Sequence, residues 1–579
     1  MTPHEKMQQA GREELRAARK QSRALYWVVG VFSVFANLLM LTGPIYMLQV
    51  YDRVLSSRSV ETLVALSVLV LFLYTMMALL DFARGRIMGR VGARFQATLD
   101  RRVFDAVIRK SAVKPDESTA TGLRDLESVQ RLMTSPVLLA LFDLPWTPLF
   151  IAAIWVFHPW LGSLALIGGA ILVTVTLINQ IVTRRPSGRA GMAGVQADTV
   201  SDQLRNDAEM VQALGMRDAA FDRWQKSRES ALRDHLHAAD LGGSFTSASK
   251  AIRLLLQSAM LGLGALLVLR NELTPGAMIA GSILLGRALA PLEQVIGQWG
   301  AVQRAKRGWD NIASLLGEVP PEQPRTALPR PKARLAVEKL VIVPPGDSQA
   351  ALKNVSFAIT PGQALGVIGP SGAGKSTLAR ALTGVWRPAQ GKVRLDGAAL
   401  DQYSPGVLGQ LIGYLPQKVQ LFDGTIAENI SRLAPEPDAR AIVEAAKRAD
   451  AHEMILKLPD GYETRVTASG GRLSGGQIQR IGLARAMYGD PVVLILDEPN
   501  ANLDNAGSEA VNSAIRRFKS EDKAVIVIAH RPAVIKECDM LLMLEHGATR
   551  AFGPRDKVLQ DVVQNHQKLA EAQTAGGVQ

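Results

Sequence analysis

Residues Leu144 to Thr183 run for 40 positions without a single Asp, Glu, Lys or Arg. A helix needs ~20 apolar residues to cross ~30 Å of hydrocarbon, so this run predicts two membrane spans back to back, turning at His158-Pro159. Two uncharged runs precede it, Ala24 to Val50 and Thr62 to Leu80, each long enough for one span. The third span is expected to begin near Val137, which places Asp143 in its first turns. Leu254 to Leu269 and Thr274 to about Gly297 supply a fifth and a sixth, the latter interrupted by Arg287 and Glu293. Buried core helices of a soluble protein are the competing reading, and the length of the first four runs argues against it.

Basic residues near the span ends set the expected orientation. Segment 1–23 carries six, residues 81–131 carry eleven, the connection 51–59 carries two and the His158 turn none. The amino terminus is therefore expected in the cytoplasm. Much of the net charge of +13 is this topology signal, so nucleic acid is not expected as a partner. Connections on the outer side are short, about nine, two and four residues. Those on the inner side, Asp81 to Ser135 and Arg184 to Arg253, are long, polar and helical in period, which predicts spans that continue as helices beyond the membrane. A lone cysteine, Cys538, excludes an intramolecular disulfide framework.

Five prolines between Glu318 and Lys332 mark a boundary. Beyond it, short strands such as Leu335–Val343 and Ala364–Ile368 alternate with helical stretches, which predicts an α/β domain. The strand at Ala364–Ile368 runs into Gly369-Pro370-Ser371-Gly372-Ala373-Gly374-Lys375-Ser376-Thr377, with a helix expected from Ser376. This is the phosphate-binding pattern G-x-x-x-x-G-K-[ST] between a strand and a helix. Its glycines let backbone N–H groups face phosphate oxygens, Lys375 reaches the β- and γ-phosphates, and the Ser376 hydroxyl is a magnesium ligand. Downstream, the apolar strand Val492–Leu496 ends in Asp497-Glu498. Asp497 can hold magnesium through water and Glu498 can polarise an attacking water. Between the two lies Leu473-Ser474-Gly475-Gly476-Gln477, a turn opening a helix and a second backbone nest for phosphate.

These elements together resemble the nucleotide-binding domain of ATP-binding-cassette transporters. The resemblance extends to Gln417 in Tyr414-Leu-Pro-Gln417, Asp504 in Asn502-Leu-Asp504, and His530 after the strand Ala524–Ala529. It implies a head-to-tail homodimer with two ATP molecules at the interface. Ser474, Gly475, Gly476 and Gln477 of one copy would face the phosphate loop of the other. Glu498 would be the general base, His530 would contact the γ-phosphate, and Ser376, Gln417 and Asp497 would hold Mg2+. The expected architecture is a six-helix transmembrane domain of the ABC exporter type followed by an α/β P-loop nucleotide-binding domain. Its boundaries are expected at 1–23 (cytoplasmic segment), 24–317 (membrane domain), 318–332 (linker), 333–565 (cassette) and 566–579 (tail).

The membrane half narrows the resemblance. Leu41 to Ser59, Phe142 to Pro148 and Gly281 to Pro291 are similar to segments of bacterial type I secretion exporters, in the group serving proteases, lipases, haem carriers and surface-layer proteins. A first span starting near residue 24 leaves no room ahead of it for a cysteine-peptidase domain, so leader cleavage is not expected. The resemblance implies ATP-driven export of unfolded polypeptides with a carboxyl-terminal signal across the bacterial inner membrane. A periplasmic adaptor (membrane fusion protein) and an outer-membrane channel would be the partners, with Tyr51–Ser59 as a candidate adaptor contact. A stand-alone exporter of lipids or drugs is the alternative, and a non-transport cassette protein fails on the spans.

Two departures from the family pattern stand out. The stretch Val341-Ile-Val-Pro344-Pro345 lacks the aromatic on which most cassettes stack adenine, and Ala468 replaces a glutamate frequent before the signature. Asp143, Arg287 and Glu293 are candidate substrate-pathway residues, because ionisable groups at membrane depth are functional by default. Pairing at an interface (Asp143) and snorkelling toward water (Arg287, Glu293) are the other readings.

Overall fold

The computed structural model describes residues 3–114, 116–467, 473–500, 503, 505–529 and 535–560. It divides into two compact units, Met1–Ser111 with Pro115–Pro321, and Ala112–Lys114 with Glu322–Gln579.

The first unit is helical: α1 (Pro3–Lys20), α2 (Arg23–Leu39), α3 (Thr42–Gln49), a π-turn at Val50–Val54, α4 (Leu55–Ser57), α5 (Val60–Val113), α6 (Glu117–Met133), α7 (Pro136–Asp143), α8 (Thr147–Phe157), α9 (Pro159–Asn206), α10 (Ala208–Ala213), α11 (Arg217–Leu269), α12 (Pro275–Gly297) and α13 (Trp299–Glu318). Among the described residues six helical stretches are long and apolar enough to cross a membrane: Arg23–Ser57, Val60–Val113, Pro136–Phe157, Pro159–Asn206, Arg217–Leu269 and Pro275–Gly297. With 54, 48 and 53 residues, α5, α9 and α11 are each about 70–80 Å long at 1.5 Å per residue. That is more than twice the hydrocarbon thickness, so the spans do continue as long polar helices. The connection expected at 51–59 is shorter than the sequence suggested. The π-turn and α4 carry the helix on to Ser57, and Arg58 then reverses the chain in a left-handed conformation (φ 54°).

The leader 1–23 is more than a charged segment. α1 packs into a core with the polar ends of α5, α6 and α13, burying Leu15 and Ala18 against Phe95, Leu99, Leu126, Ile312 and Leu316. Glycines permit the close approach: a Cβ on Gly11 would fall 1.9 Å from the Ala313 carbonyl oxygen, and one on Gly317 would fall 2.0 Å from that of Met7. Arg102 of α5 joins the same contact, donating to Glu14 (2.9 Å) and to the carbonyl oxygens of Leu316 and Val319 at the end of α13.

The second unit is α/β: β1 (Leu335–Ile342), β2 (Leu352–Ile359), β3 (Ala364–Ile368), α14 (Lys375–Leu382), β4 (Gln390–Leu395), β5 (Ala398–Ala399), α15 (Pro405–Leu411), β6 (Ile412–Leu415), β7 (Gly424–Thr425), α16 (Ile426–Ile430), α17 (Ala439–Arg448), α18 (His452–Leu456), β8 (Arg465–Val466), α19 (Gly475–Met487), β9 (Val493–Asp497), α20 (Asn505–Ser520), β10 (Ala524–Ile528), β11 (Met540–Glu545) and β12 (Ala548–Pro554). The six-stranded sheet has the order β12-β11-β3-β10-β9-β6, with β11, β3, β10, β9 and β6 mutually parallel. β9 and β10 are buried at every position, as expected of strands covered on both faces. Gly366 in β3 is required by packing, since a Cβ there would meet Leu541 at 2.6 Å. β1, β2, β4 and β5 form a separate antiparallel sheet.

Candidate nucleotide site

The carboxyl ends of parallel strands are where open α/β sheets present ligand sites. β3 runs into residues 369–377 there, and the loop is built for close backbone approach. Gly369, Gly372 and Gly374 adopt positive φ (153°, 78° and 95°), and a Cβ on Gly369 would lie 2.2 Å from the Leu544 carbonyl oxygen. α14 opens at Lys375 and presents its amino-terminal N–H groups and partial positive charge toward the loop. Lys375 is 6% exposed and donates to the carbonyl oxygens of Gly369 and Pro370 at 2.8 Å each. Burial holds its pKa below the ordinary lysine value, against the opposing pull of Glu498 and Asp497. Pro370, Ser371, Ala373 and Thr377 complete the loop and the first turn of α14.

β9 lies one strand away from β3, across β10, and ends at Asp497. The Asp497 carboxylate accepts a hydrogen bond from Ser376, which joins the start of α14 to the end of β9. Burial raises its pKa above the usual carboxylate range, and neighbouring Glu498 adds to the rise. Its Oδ1 is buried without a hydrogen-bond partner among the described residues. A buried carboxylate oxygen left open beside a serine hydroxyl is the donor set a hard divalent cation takes, so these residues fit Mg2+. Glu498 sits in the left-handed region (φ 49°), a strained backbone for a residue with a side chain, and is held there by its N–H donating to Ile528 O (2.9 Å). Gln417, two residues past β6, donates to Glu498 Oε2 at 2.8 Å. Lys375, Ser376, Gln417, Asp497 and Glu498 thus converge from three segments of the chain.

The signature residues open α19, which reaches the segment just after Glu498 through Gln479, its side chain donating to the Pro499 carbonyl oxygen at 3.0 Å. Ser474 caps α19, its Oγ accepting from the Gln477 N–H (3.3 Å) while Gln477 Oε1 accepts from the Ser474 N–H (2.8 Å). Gly475 and Gly476 form the first turn of that helix. Asp504, His530 and Ala468 lie outside the described residues, as does the tail 566–579. Sequence reading missed Asn500, which is buried two residues after Glu498 with an Oδ1 that has no partner among the described residues. Its position directly after Asp-Glu-Pro was the available signal.

In the helical unit, Asp143 is engaged by other spans. Its Oδ1 accepts from Arg84 (2.8 Å) and Asn37 (2.7 Å), and Arg84 also donates to Ser33 (2.9 Å) and Asp81. The network ties α2, α5 and α7 together. Glu293 lies 2.7 Å from Arg253 Nε, joining α12 to α11. Arg287 is exposed on α12, with Ala290 and Gln294 on the same stripe of an otherwise largely buried helix.

A cassette with a phosphate loop and acidic strand end, carried on a chain with six apolar helices, defines an ATPase coupled to membrane transport. Residues 352–501 match the family described as ABC transporter, and residues 26–290 match the ABC transporter transmembrane region. The chain is 42% identical over 552 residues to the type I secretion system ATP-binding protein PrsD of Rhizobium meliloti (strain 1021), covering 95% of each. It is 28% identical over 551 residues to the leukotoxin translocation ATP-binding protein LktB of Mannheimia haemolytica, covering 93% of this chain and 77% of that one. The structure of a bacterial Atm1-family ABC exporter with ATP bound shares the fold at a TM-score of 0.79 and 21% identity, over 96% of this chain and 99% of that one. The chain belongs to the ABC transporters, among the type I secretion ATP-binding proteins.

Proposed function

We propose that this chain is the inner-membrane ATPase of a type I secretion system, exporting unfolded polypeptides that carry a carboxyl-terminal signal. The observation that carries this reading is the 42% identity to a type I secretion ATP-binding protein running through both the membrane half and the cassette. The amino terminus and cassette lie in the cytoplasm, as the basic residues flanking the spans direct. Export beyond the outer membrane then needs a periplasmic adaptor and an outer-membrane channel, because the connections at the short-loop end are too short to reach across a periplasm.

Two copies act together. ATP occupies the phosphate loop 369–377 of one copy and is covered by Ser474, Gly475 and Gly476 of the other, with Asp504 beside the interface. On ATP binding the Lys375 ammonium leaves the carbonyl oxygens of Gly369 and Pro370 for the β- and γ-phosphate oxygens, a stronger, charge-assisted contact. Ser376, Gln417 and Asp497 would hold Mg2+, which when bound neutralises charge across the phosphates. Glu498 orients a water and takes its proton as the oxygen attacks the γ-phosphorus, and the bond to ADP breaks in line. His530 steadies the γ-phosphate. Gln417 bonds Glu498 directly, so it senses whether the base is engaged. Closure and separation of the cassettes move the helical tips around residues 116–126 and 208–217, and with them the spans. Arg287 lines the polypeptide path; Asp143 and Glu293 hold the helices that form it.

The test compares proteins released into the medium by cells carrying the parental chain, the Glu498→Gln chain or none, with crosslinking to capture adaptor and channel proteins. Release of specific polypeptides by the parental chain alone is expected. Identical secretomes in all three strains, with no envelope protein captured, would refute the reading in favour of a stand-alone exporter.

A further inference from the structure

Besides Asp143 and Glu293, the helical unit contains a further carboxylate whose bonds cross between spans, beside the short outer connections. Asp52 lies in the π-turn after α3, 222 and 224 positions from the groups it holds. Its Oδ2 accepts from the Thr274 hydroxyl at 2.7 Å, and its Oδ1 accepts from the Gly276 N–H at 2.9 Å. Thr274 is the residue capping α12, and its Oγ1 accepts in turn from the Ala277 N–H (3.2 Å). Pro275, the first residue of α12, has no N–H to satisfy. The unpaired donors of the first turn of α12 are therefore met by one threonine and one aspartate from another span, and the carboxylate sits where the helix dipole favours negative charge. The fit is tight: a Cβ on Gly276 would lie 2.6 Å from Asp52 Oδ1. α3 packs along α12 below this point. By contrast, the apolar window of the second span buries none of its residues against the chain.

We propose that Asp52 is a strut that joins the first and sixth spans into one body at their outer ends, so that the sixth span keeps its register while the second span moves. It is a positioning residue: within the segment 51–59 its carboxylate is spent on Thr274 and Gly276 and not on an adaptor, nucleotide or cargo, and it acts by holding α12, the helix that carries Arg287. This rests on the export reading above. It predicts that breaking the strut lowers the amount of polypeptide exported per ATP hydrolysed and leaves hydrolysis itself in place, since the cassette is untouched.

The experiment uses the full-length chain in proteoliposomes and in cells, with ATP hydrolysis and polypeptide release measured on the same preparations. Asp52→Ala removes the acceptor, and Gly276→Ala displaces it by contact while leaving the carboxylate present. Each is expected to lower release by roughly tenfold with hydrolysis within about twofold of parental, as for a change in a gating step remote from the chemistry. The double variant is expected to match either single one. Loss of folding would instead lower hydrolysis and release in parallel. Asp52→Cys with Thr274→Cys then separates a strut from a gate. Reduced, this pair should behave like Asp52→Ala; oxidised, it should regain release. Buried Cys538, its thiol pushed up to about 12 by burial, stays out of the exchange. Parental release by Asp52→Ala would overturn the proposal. So would a crosslink that fails to form, or one that blocks release until reduced. A parental chain that releases no polypeptide contradicts the export reading instead.

Discussion

Asp497 and Asp143 are both inward-facing carboxylates near a cation, and they are finished in opposite ways. Asp143 has its Oδ1 filled by Arg84 and Asn37, and the arginine is itself shared with Ser33 and Asp81. Asp497 keeps a buried oxygen without a partner among the described residues, beside a lysine held on backbone carbonyls and a glutamate in a strained conformation. A carboxylate filled in this way fixes helices to one another, although Arg84 Nε has no hydrogen-bond partner among the described residues. An open one is poised for something that arrives. Of these two carboxylates, the one with unfilled hydrogen-bonding capacity is the one that sits at the candidate chemistry.

That contrast is sharpest at Glu498. Removing a positioned general base typically costs ~10²–10⁴-fold in rate, so Glu498→Gln is expected to lose hydrolysis by that order while still binding ATP. Lys375→Ala should lose both, because it removes the phosphate contact itself. Measured turnover and ATP retention on a filter separate the two variants, and near-parental turnover by Glu498→Gln would remove the distinction.

At Arg84 the expected effect is on stability. Leaving one partner of a buried ion pair uncompensated costs ~3–5 kcal/mol, so Arg84→Met should sharply lower the melting temperature of the detergent-solubilised chain. Arg84→Met with Asp143→Leu should recover part of that loss, and cassette hydrolysis per folded chain should be unchanged. A double variant worse than either single one would show that Asp143 has a role beyond the pair.

A smaller effect is expected at Asp490, a closed network on the cassette. It accepts from Arg330 (2.8 Å), Arg448 (2.9 Å) and Lys523. Burial pushes its pKa up, but the hydrogen bonds and charges of Lys523 and Arg448 together outweigh that and bring it down to about 2. Its folded value lies below its unfolded value of 3.8. The stabilisation is therefore complete above about pH 4 and is lost as the pH falls toward 2. The carboxylate is half-exposed, so solvent screening limits it to about 1 kcal/mol. Asp490→Asn should be less stable than parental by that amount from pH 8 to 4.5, with the gap narrowing only below about pH 4.

The least effect is expected where the site lacks a part. β1 ends at Ile342, two residues before Pro344, and Val341–Pro345 has no aromatic to stack on adenine. Pro344→Tyr should tighten ATP binding about fivefold, near the low end of the ~1–3 kcal/mol that base stacking contributes on single strands. An unchanged affinity would mean that the base is held by other groups.

The residues that the structure brings together at the candidate site, Lys375, Ser376, Gln417, Asp497 and Glu498, could be read from the sequence because each sits in a local motif. Backbone turns at Gly369, Gly372 and Gly374 follow from spacing, and the apolar strand Val493–Asp497 announces itself by composition. The spans were legible for the same reason, since length and absence of charge are one-dimensional properties. Long-range contacts were not. Nothing near Arg84 says that it meets Asp143, and nothing near Asp52 says that it caps the helix of the sixth span. α1 reads as a basic leader because its apolar face is narrow, with Gly11, Leu15 and Ala18 meeting helices as distant in the chain as α13. Asp504 and His530 rest on motif order alone.

The claim on which the rest depends is that hydrolysis needs two copies, with the loop at Lys375 and the turn at Ser474 supplied by different chains. Specific ATPase rate in lipid nanodiscs sized for one copy or for two measures this directly. Full activity with two copies and near-complete loss with one is the expected result. An equal rate per chain in single-copy discs would contradict it.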